Sequence, residues 1–509
     1  MRADAKVWLL LGLLLAGVTV VYLNHFDNGF HFDDAHTVEN NPAIQSLSNI
    51  PRFFRDATLF STLPDHQMYR PLVSATLAID YRLGGGLEPF YFHLSTFIWF
   101  LAQLVCMFVL FAALLNKTAP HPRNAWLALF ACAWYGLNPC CAETVNYVVQ
   151  RGDLLSTLGV VAGLTIAVAW PKQRRYGIYL VPAALGALAK PPALMFAPIY
   201  FCYLLLFEEG GSFYFWERGE FGAWRRALRR SAPAAAACLG LYLLQDAMTP
   251  ATFEPGGASA WRYWITQPYA AVYYAKSLFL PTELSADTDW EPFSNVFQTP
   301  AVVGLVFVAA LVAIAARTSR DLETRPIAFG IFWFFSALVP TAVVPLAEVV
   351  NDHRMFFPLV GLTLAVCAWA GTTVVRRLES LNPFCDARAW VVAAAAAALP
   401  LYGWGTYKRN EVWHTEESLW LDVVEKSPRN GRGLMNYGLT QMAAGRYRRA
   451  LEYFERAQAL TPNYAILEIN LGIVKGALGR DAEAEAHFLR AQELAPGSAQ
   501  PFFTTPAGS

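Results

Sequence analysis

Charged residues are scarce in this 509-residue sequence: they form 15% of the chain, whereas hydrophobic residues form 55%. Soluble domains average about 25% charged residues, so this composition excludes an ordinary soluble protein and indicates a chain that crosses a membrane repeatedly. A net charge is absent too, because 39 basic residues balance 39 acidic ones. Without a basic surplus, nothing in the composition favours nucleic-acid binding.

Metal-binding and nucleotide-binding motifs are also missing. The eight cysteines include no CxxC pair, and most lie in apolar runs. We therefore interpret them as small apolar residues rather than as metal ligands or disulfides. The loops predicted to face the cytoplasm contain no P-loop, which disfavours a nucleotide-linked substrate.

Long apolar runs predict a polytopic helical membrane protein. Clusters of basic residues fall between alternate apolar runs, so they all lie on one side of the membrane if every run crosses it. Because basic residues are enriched in cytoplasmic loops, we expect a cytoplasmic N-terminus and an extracytoplasmic C-terminal region. The first run lacks a small-residue cleavage site, which favours an uncleaved signal anchor. The eleven predicted spans cover approximately residues 7–23, 90–115, 125–138, 153–170, 176–189, 192–207, 231–246, 301–316, 326–343, 357–375 and 389–404.

The first predicted outer loop, residues 24–89, contains the stretch HFDDAHTVENN with the adjacent acids Asp33 and Asp34. A carboxylate pair beside a membrane can take a proton from an attacking hydroxyl or hold a divalent cation. The alternative is a solvated acidic turn. Two surface helices, predicted in SNIPRFFRDATLF and YRPLVSATLAIDYRLGGG, would wall a cleft over the two acids.

Other ionisable residues lie near the predicted outer ends of the spans, where burial is costly and a functional role is the default hypothesis. Structural alternatives exist: Arg70 could reach the headgroups, Glu143 could pair with Arg151, and Lys190 could lie at the water interface. The triplet Asp352–Arg354, just before the apolar run FFPLVG, favours a phosphate contact, because arginine binds phosphate bidentately. The residues concerned are Arg70, Glu143, Arg151, Asp153, Lys190, Asp352, His353 and Arg354.

The C-terminal region repeats with a period of 34 residues, which separates Pro428, Pro462 and Pro496. Glycine, alanine and phenylalanine recur in the same register, a pattern typical of tetratricopeptide (TPR) repeats. We predict repeats at 431–464 and 465–498, preceded by a partial repeat. Such short arrays bind peptides or protein surfaces, although they can also serve only as a cap. The predicted domains are 1–404 in the membrane and an extracytoplasmic TPR domain at 405–509.

Several motifs occur together in a recognisable order: FDDAHTVENNPAI, YRPL, ETVNYVVQRGDLL, YYAKSLFLPTELSA and NDHRMFFPLVG. Followed by TPR repeats, they resemble the transmembrane, TPR-containing O-mannosyltransferases (the TMTC group) of the GT-C glycosyltransferases. The resemblance implies an all-α GT-C membrane bundle. It also implies an inverting transfer of a mannose-like sugar from a polyprenyl-phosphate donor to a protein Ser/Thr hydroxyl, on the extracytoplasmic face.

The resemblance also implies roles for individual residues. Asp33 or Asp34 would be the catalytic base, and Arg354 would contact the donor phosphate. The other candidates for the donor-phosphate and substrate site, chosen for their charge and position in the sequence, are Arg70, Glu143, Arg151, Asp153 and His353. The TPR repeats would bind the acceptor polypeptide. The short array suggests a bacterial relative with an undecaprenyl carrier and a periplasmic site, or a lumenal one in a eukaryote.

The chain departs from the family pattern at Asn138-Pro139, where the family often has His-Pro, and at Lys190-Pro191, where a carboxylate often follows the lysine. These departures bear on the sugar and the acceptor. Two alternatives remain: a glycosyltransferase that acts on a lipid or glycan, and a non-catalytic TPR scaffold. A transporter is disfavoured, because its polar residues should lie near the bilayer midplane.

Overall fold

A computed structural model of the chain describes residues 5–217, 220–253, 256, 259–374 and 387–495. These residues form α-helices, shorter helical turns and loops, with no β-strand among them, so the predicted all-α fold is confirmed. The helices are α1 Ala5–Val21, α2 Ile50–Phe53, α3 Pro71–Gly84, α4 Pro89–Thr118, α5 Arg123–Gly136, α6 Ala142–Asn146, α7 Arg151–Ala169, α8 Leu180–Ala189, α9 Phe196–Tyr203, α10 Glu220–Met248, α11 Ala260–Phe279, α12 Thr299–Ser319, α13 Arg325–Val343, α14 Phe356–Trp369, α15 Ala387–Val412, α16 Glu416–Lys426, α17 Gly431–Ala443, α18 Tyr447–Leu460, α19 Ala465–Ala477 and α20 Asp481–Leu494.

The chain divides into two compact units. The first comprises the chain up to Leu284 together with Pro292–Glu411. The second comprises Ser285–Glu291 and the chain from Val412 onward.

Six helical segments in the described part of the chain are long and apolar enough to cross a membrane, or seven if one bent pair is a single span. The predicted count of eleven spans is therefore not confirmed. Helix α1, with 17 residues, and α8, with ten, are apolar but short, and at 1.5 Å per residue they fall below the roughly 30 Å hydrocarbon thickness. The candidate spans are Pro89–Thr118, Val148–Ala169, Pro191–Glu208, Thr299–Ser319, Leu322–Val343 and Asp352–Thr372, with the bent pair Arg123–Gly136 and Pro139–Asn146.

The candidate spans differ in how central they are. In Val148–Ala169 and Asp352–Thr372, 72% and 78% of the most apolar window is buried within the protein, compared with 17% in Thr299–Ser319. The first two spans therefore form the centre of the bundle. Close packing there depends on glycine: a side chain at Gly330 would collide with the backbone of Gly361, so helices α13 and α14 cross in direct backbone contact.

Helix α11 is rich in aromatic residues, which are typical of a membrane interface. It is not among the candidate spans. Its 20 residues nevertheless pack against the bundle, where Gly304 of α12 lies against the backbone of Pro268 and Tyr269.

The first long loop contains less helix than the sequence predicts. Helix α3 forms as expected, with Pro71 in its first turn and Gly85 at a φ of 69° just beyond its end. The preceding predicted helix is reduced to the single turn of α2, Ile50–Phe53, followed by a short 3-10 turn. One full helix, rather than two, therefore accompanies the acidic stretch.

The second unit contains the predicted TPR helices α17 to α20, preceded by α16 with the buried Trp420 of the partial repeat. Glycine is required where paired helices cross: a Cβ atom at Gly438 would lie 2.5 Å from the Phe454 ring, and one at Gly472 would lie equally close to Phe488. These contacts explain the spacing of glycine and phenylalanine in the sequence. Pro496 and the basic pair Arg376–Arg377 lie outside the described residues.

Candidate functional site

The acidic stretch is held in an unusual backbone conformation. Phe32, directly before Asp33, has a φ of +52°, a region that non-glycine residues rarely adopt. A π-helical turn, Ala35–Glu39, follows the two acids. Strained residues and π-turns concentrate at functional sites, so this backbone marks the stretch as a candidate site.

The two adjacent acids have different environments. The Asp33 side chain is 49% exposed, and its backbone N–H donates a 2.9 Å hydrogen bond to the Tyr147 hydroxyl. Asp34 is fully buried and accepts hydrogen bonds from the backbone N–H groups of His31, Val148 and Val149, at 3.1, 3.3 and 2.8 Å. Asp34 therefore fixes the loop to the turn before α7, and Asp33 is the more exposed of the two carboxylates.

The environments also set the pKa values of the two acids. Burial raises the pKa of Asp34 to about 7, although its bonds to backbone N–H groups oppose this effect. Burial acts on Asp33 in the same direction, but the close contact with His36 and the charges of His36 and His66 outweigh it and lower the pKa of Asp33. Asp33 is therefore ionised at neutral pH.

A divalent cation shared by Asp33 and Asp34, as the sequence allows, does not fit this geometry, because the oxygens of Asp34 face backbone N–H groups. A different group could hold an ion. Ligand atoms of Asp33, His36 and His66 all lie within 4.8 Å of one another. Neither histidine was predicted as a ligand from the sequence, although His36 follows Asp33 by three residues.

Arg70 interacts electrostatically with the acidic stretch through Asp33. It lies immediately before α3, with its guanidinium 5.2 Å from the centre of the Phe60 ring and one nitrogen 3.3 Å from the Met68 sulfur. Its Nε is buried and has no hydrogen-bond partner among the described residues. Burial lowers the pKa of Arg70, while the negative charges of Asp153 and Asp33 oppose this shift. Arg70 thus lies in the electrostatic field of both acids.

Lys190 continues the charged site. Its Nζ lies 2.6 Å from Asp153 Oδ2 and 2.9 Å from Gln150 Oε1. Burial lowers the pKa of Lys190 to about 8; Asp153 opposes the shift, and the positive charges of Arg70 and Arg354 add to it. Three cations therefore converge on the same region of the first unit.

The triplet Asp352–Arg354 lies in a short turn that leads into α14. The Arg354 side chain is only 6% exposed, and it donates a 2.7 Å hydrogen bond to the carbonyl of Glu348. His353 Nδ1 lies 2.7 Å from Glu143 Oε1. Glu143 Oε2 is buried and has no hydrogen-bond partner among the described residues. The predicted residues Glu143, His353 and Arg354 are thus brought together, although Glu143 does not pair with Arg151.

Arg151 has a structural environment. Its side chain is fully buried and ion-paired with Asp80 of α3, and it donates hydrogen bonds of 3.2 and 2.8 Å to the carbonyls of Val148 and Phe92. These bonds turn the guanidinium toward the protein interior, so we no longer place Arg151 among the substrate contacts. Asp80 was not predicted from the sequence, because it is 71 residues away from Arg151 along the chain.

We expect Arg151→Ala to destabilise the protein strongly. The substitution leaves Asp80 buried without its cation, and breaking a buried ion pair costs about 3–5 kcal/mol of unfolding free energy. Thermal unfolding in detergent measures this loss. The control is Arg82→Ala, because Arg82 is exposed and lies on the same helix as Asp80. If Arg151→Ala kept wild-type stability and lost only substrate affinity, Arg151 would belong to the substrate site.

A second polar network was also missed. His25 Nδ1 and the Asn28 amide both contact the Asn146 side-chain oxygen, at 2.8 and 2.6 Å, and the Asn146 amide donates to Asn410 Oδ1 at 2.7 Å. This network joins the end of α1, helix α6 and the end of α15. Only the presence of asparagines at apolar segment ends could have indicated it.

The fold and site together define a multi-pass α-helical membrane protein with TPR repeats and a charged site at the ends of its central helices. A tetratricopeptide repeat model matches residues 431–464, as predicted. The chain is 22% identical over 90% of its length to human "Protein O-mannosyl-transferase TMTC1" and covers 56% of that protein. It is 23% identical over 86% of its length to Drosophila melanogaster "Protein O-mannosyl-transferase Tmtc3" and covers 54% of it.

A Caenorhabditis elegans protein, "Protein O-mannosyl-transferase F38B6.6", is 24% identical over 89% of the chain, which covers 63% of that relative. The resemblance inferred from the motifs is therefore confirmed. The chain spans less than two thirds of the length of these relatives.

Proposed function

We propose that this protein is an inverting membrane glycosyltransferase. It transfers a mannose-like sugar from a polyprenyl-phosphate donor to a hydroxyl of an acceptor, which we take to be a protein Ser or Thr. The similarity to proteins named protein O-mannosyl-transferases, which extends over 86–90% of the chain for two of them, supports this proposal.

The observation that carries the proposal is the environment of Arg70. A buried guanidinium nitrogen without a hydrogen-bond partner, such as Arg70 Nε, is costly, and a bound anion would remove that cost. Arg70 interacts electrostatically with the ionised Asp33, and Lys190 interacts in the same way with both Arg70 and Arg354. One carboxylate beside several cations is the set of charges that transfer from a phosphate-linked sugar requires.

The helix ends around this site add to its affinity for an anion. Helix α3 begins directly after Arg70, α7 begins before Asp153, and α14 begins directly after the turn that contains Arg354. The N-terminus of a helix carries partial positive charge and N–H groups that favour phosphate. A negatively charged leaving group would therefore be stabilised by helix ends as well as by side chains.

In the proposed reaction, the acceptor hydroxyl attacks the anomeric carbon of the sugar from the face opposite the lipid phosphate. Asp33 takes the hydroxyl proton as the new C–O bond forms, and the electron pair of the breaking C–O bond leaves with the phosphate. Arg70, Lys190 and Arg354 stabilise the charge on that phosphate. A single displacement of this kind inverts the anomeric centre.

The remaining residues position these groups. Asp153 binds the Lys190 ammonium directly, and Glu143 binds the His353 ring beside Arg354. We propose that the two carboxylates orient their cationic and imidazole partners toward the donor. Asp34 keeps Asp33 in place by anchoring the loop.

We further propose that the site faces the extracytoplasmic side, which is the periplasm in a bacterium and the lumen in a eukaryote, with a cytoplasmic N-terminus. The basic clusters between alternate apolar runs support this orientation. A lipid-linked donor suits it, because the loops predicted to be cytoplasmic contain no nucleotide-binding motif.

The purified protein, incubated with polyprenyl-phosphate mannose and acceptor polypeptides, should add one hexose to Ser or Thr side chains, detected by mass spectrometry. The anomeric configuration of the product should be opposite to that of the donor. A product with retained configuration would contradict the single displacement. Transfer to lipids or glycans alone would support the alternative acceptor class, and the absence of transfer to all of these acceptors would favour a TPR scaffold.

The TPR repeats are proposed to capture the acceptor. Deleting residues 427–509 should reduce transfer to a full-length acceptor protein while slow hydrolysis of the donor by water continues, because the repeats contribute binding rather than bond-making. Both rates are measured in one preparation whose folding is checked by thermal unfolding. Equal loss of both rates in a folded truncation would show a structural role, and no loss of either would favour a lipid or glycan acceptor.

A further inference from the structure

The side chains of Asp33, His36 and His66 converge from two separate segments of the first long loop. The Nε2 atom of His36 lies 3.4 Å from Asp33 Oδ1, and the ring centroids of His36 and His66 are 4.8 Å apart. Ligand atoms from all three residues lie within 4.8 Å of one another. We propose that these residues bind a divalent transition-metal ion of the zinc class, and this proposal does not rest on the proposed function.

The distance between His36 and Asp33 suits such an ion. Two ligands bound to a tetrahedral ion by bonds of about 2.1 Å lie about 3.4 Å apart. The same separation is too long for a good hydrogen bond between nitrogen and oxygen. The two side chains are therefore spaced for an ion between them, and a small movement of His66 would complete the set.

Hydrogen bonding already orients the His36 ring for this role. Ser61 Oγ donates to the carbonyl of Leu63 at 3.1 Å and lies 2.9 Å from His36 Nδ1. The serine hydroxyl has only one hydrogen, so in this arrangement it accepts from an Nδ1–H group of His36. The Nε2 atom of His36 then faces the Asp33 carboxylate, 3.4 Å from its Oδ1 atom. Metal-binding histidines are usually held in this way through the other ring nitrogen.

The chemistry of the ligands selects the ion class. Two imidazole nitrogens and one carboxylate suit zinc and similar transition metals, whereas magnesium and calcium prefer sets of oxygen ligands. The side chains of His66 and Asp33 are 45% and 49% exposed, so an ion can enter and a water molecule can occupy the fourth position. Three protein ligands with one open position are typical of zinc sites that are accessible to small molecules.

The test is direct metal binding by the full-length protein in detergent, purified with a tag free of histidine and stripped with a chelator. Cobalt(II) is the probe, because its visible absorption reports tetrahedral coordination, and zinc then competes for the same site. We expect one tight equivalent per chain, with His36→Ala and His66→Ala each weakening it by at least about 100-fold, more than the loss of an outer-shell partner. His121→Ala is the matched control, since His121 is exposed in another loop.

Tight, stoichiometric binding that survives in the folded His36→Ala/His66→Ala double variant would overturn the assignment, as would the absence of binding to the wild-type protein. Circular dichroism and thermal unfolding establish that the variants are folded. The readout is metal binding rather than sugar transfer, so failure of this proposal is distinguishable from failure of the proposed enzymatic activity.

Discussion

Replacing Asp33 with asparagine is expected to reduce sugar transfer by about 100- to 10,000-fold, the usual contribution of a positioned general base. The amide keeps the size of the side chain and loses its capacity to take the hydroxyl proton. Because Asp33 is half exposed and fixed mainly through its backbone N–H, the variant should remain folded. The initial rate of transfer from polyprenyl-phosphate mannose is the measurement.

Asp27→Asn is the matched control, because Asp27 is an exposed acid on the same loop and should tolerate the change. Asp34→Asn should behave differently from both. In the wild-type protein both carboxylate oxygens of Asp34 accept hydrogen bonds from backbone N–H groups. The amide nitrogen of asparagine cannot accept such a bond, so the variant should lose stability together with activity. Wild-type transfer by folded Asp33→Asn would show that Asp33 is not the base.

Replacing Arg70 with glutamine is expected to lower kcat/KM for the donor by about 100- to 1,000-fold, as for removal of a group that stabilises charge in the transition state. Arg70→Gln should not lower the thermal stability, whereas Arg151→Ala should lower it strongly. Removing a guanidinium whose buried Nε atom lacks a hydrogen-bond partner relieves a cost, so the apparent Tm without substrate should stay constant or rise.

Initial-rate kinetics with varied donor and thermal unfolding without donor measure the two effects of Arg70→Gln. Arg82→Gln, at an exposed position on α3, controls for the loss of positive charge and should change neither quantity. A folded Arg70→Gln variant with unchanged donor kinetics would remove Arg70 from the substrate site. A large fall in Tm with no selective loss of donor use would make it a structural residue like Arg151.

The sequence by itself determined the features that depend on neighbouring residues. The 34-residue period predicted the TPR helices because each repeat packs mainly against the next, as the contact of Gly438 with Phe454 shows. Apolar runs likewise predicted helices across the first unit. The number of spans did not follow from the sequence, because hydropathy alone does not establish whether a helix as short as α8, with its ten residues, crosses a bilayer.

Only the tertiary structure decided which charged residues form the candidate site. Asp33 and Asp34 are equivalent in the sequence, and their difference arises because Val148 and Val149, more than 110 residues away, supply N–H groups to Asp34 alone. Arg151 is likewise excluded by Asp80. Local patterns report the preferences of the backbone, whereas the exposure and charge of a side chain depend on partners that folding brings from distant parts of the chain.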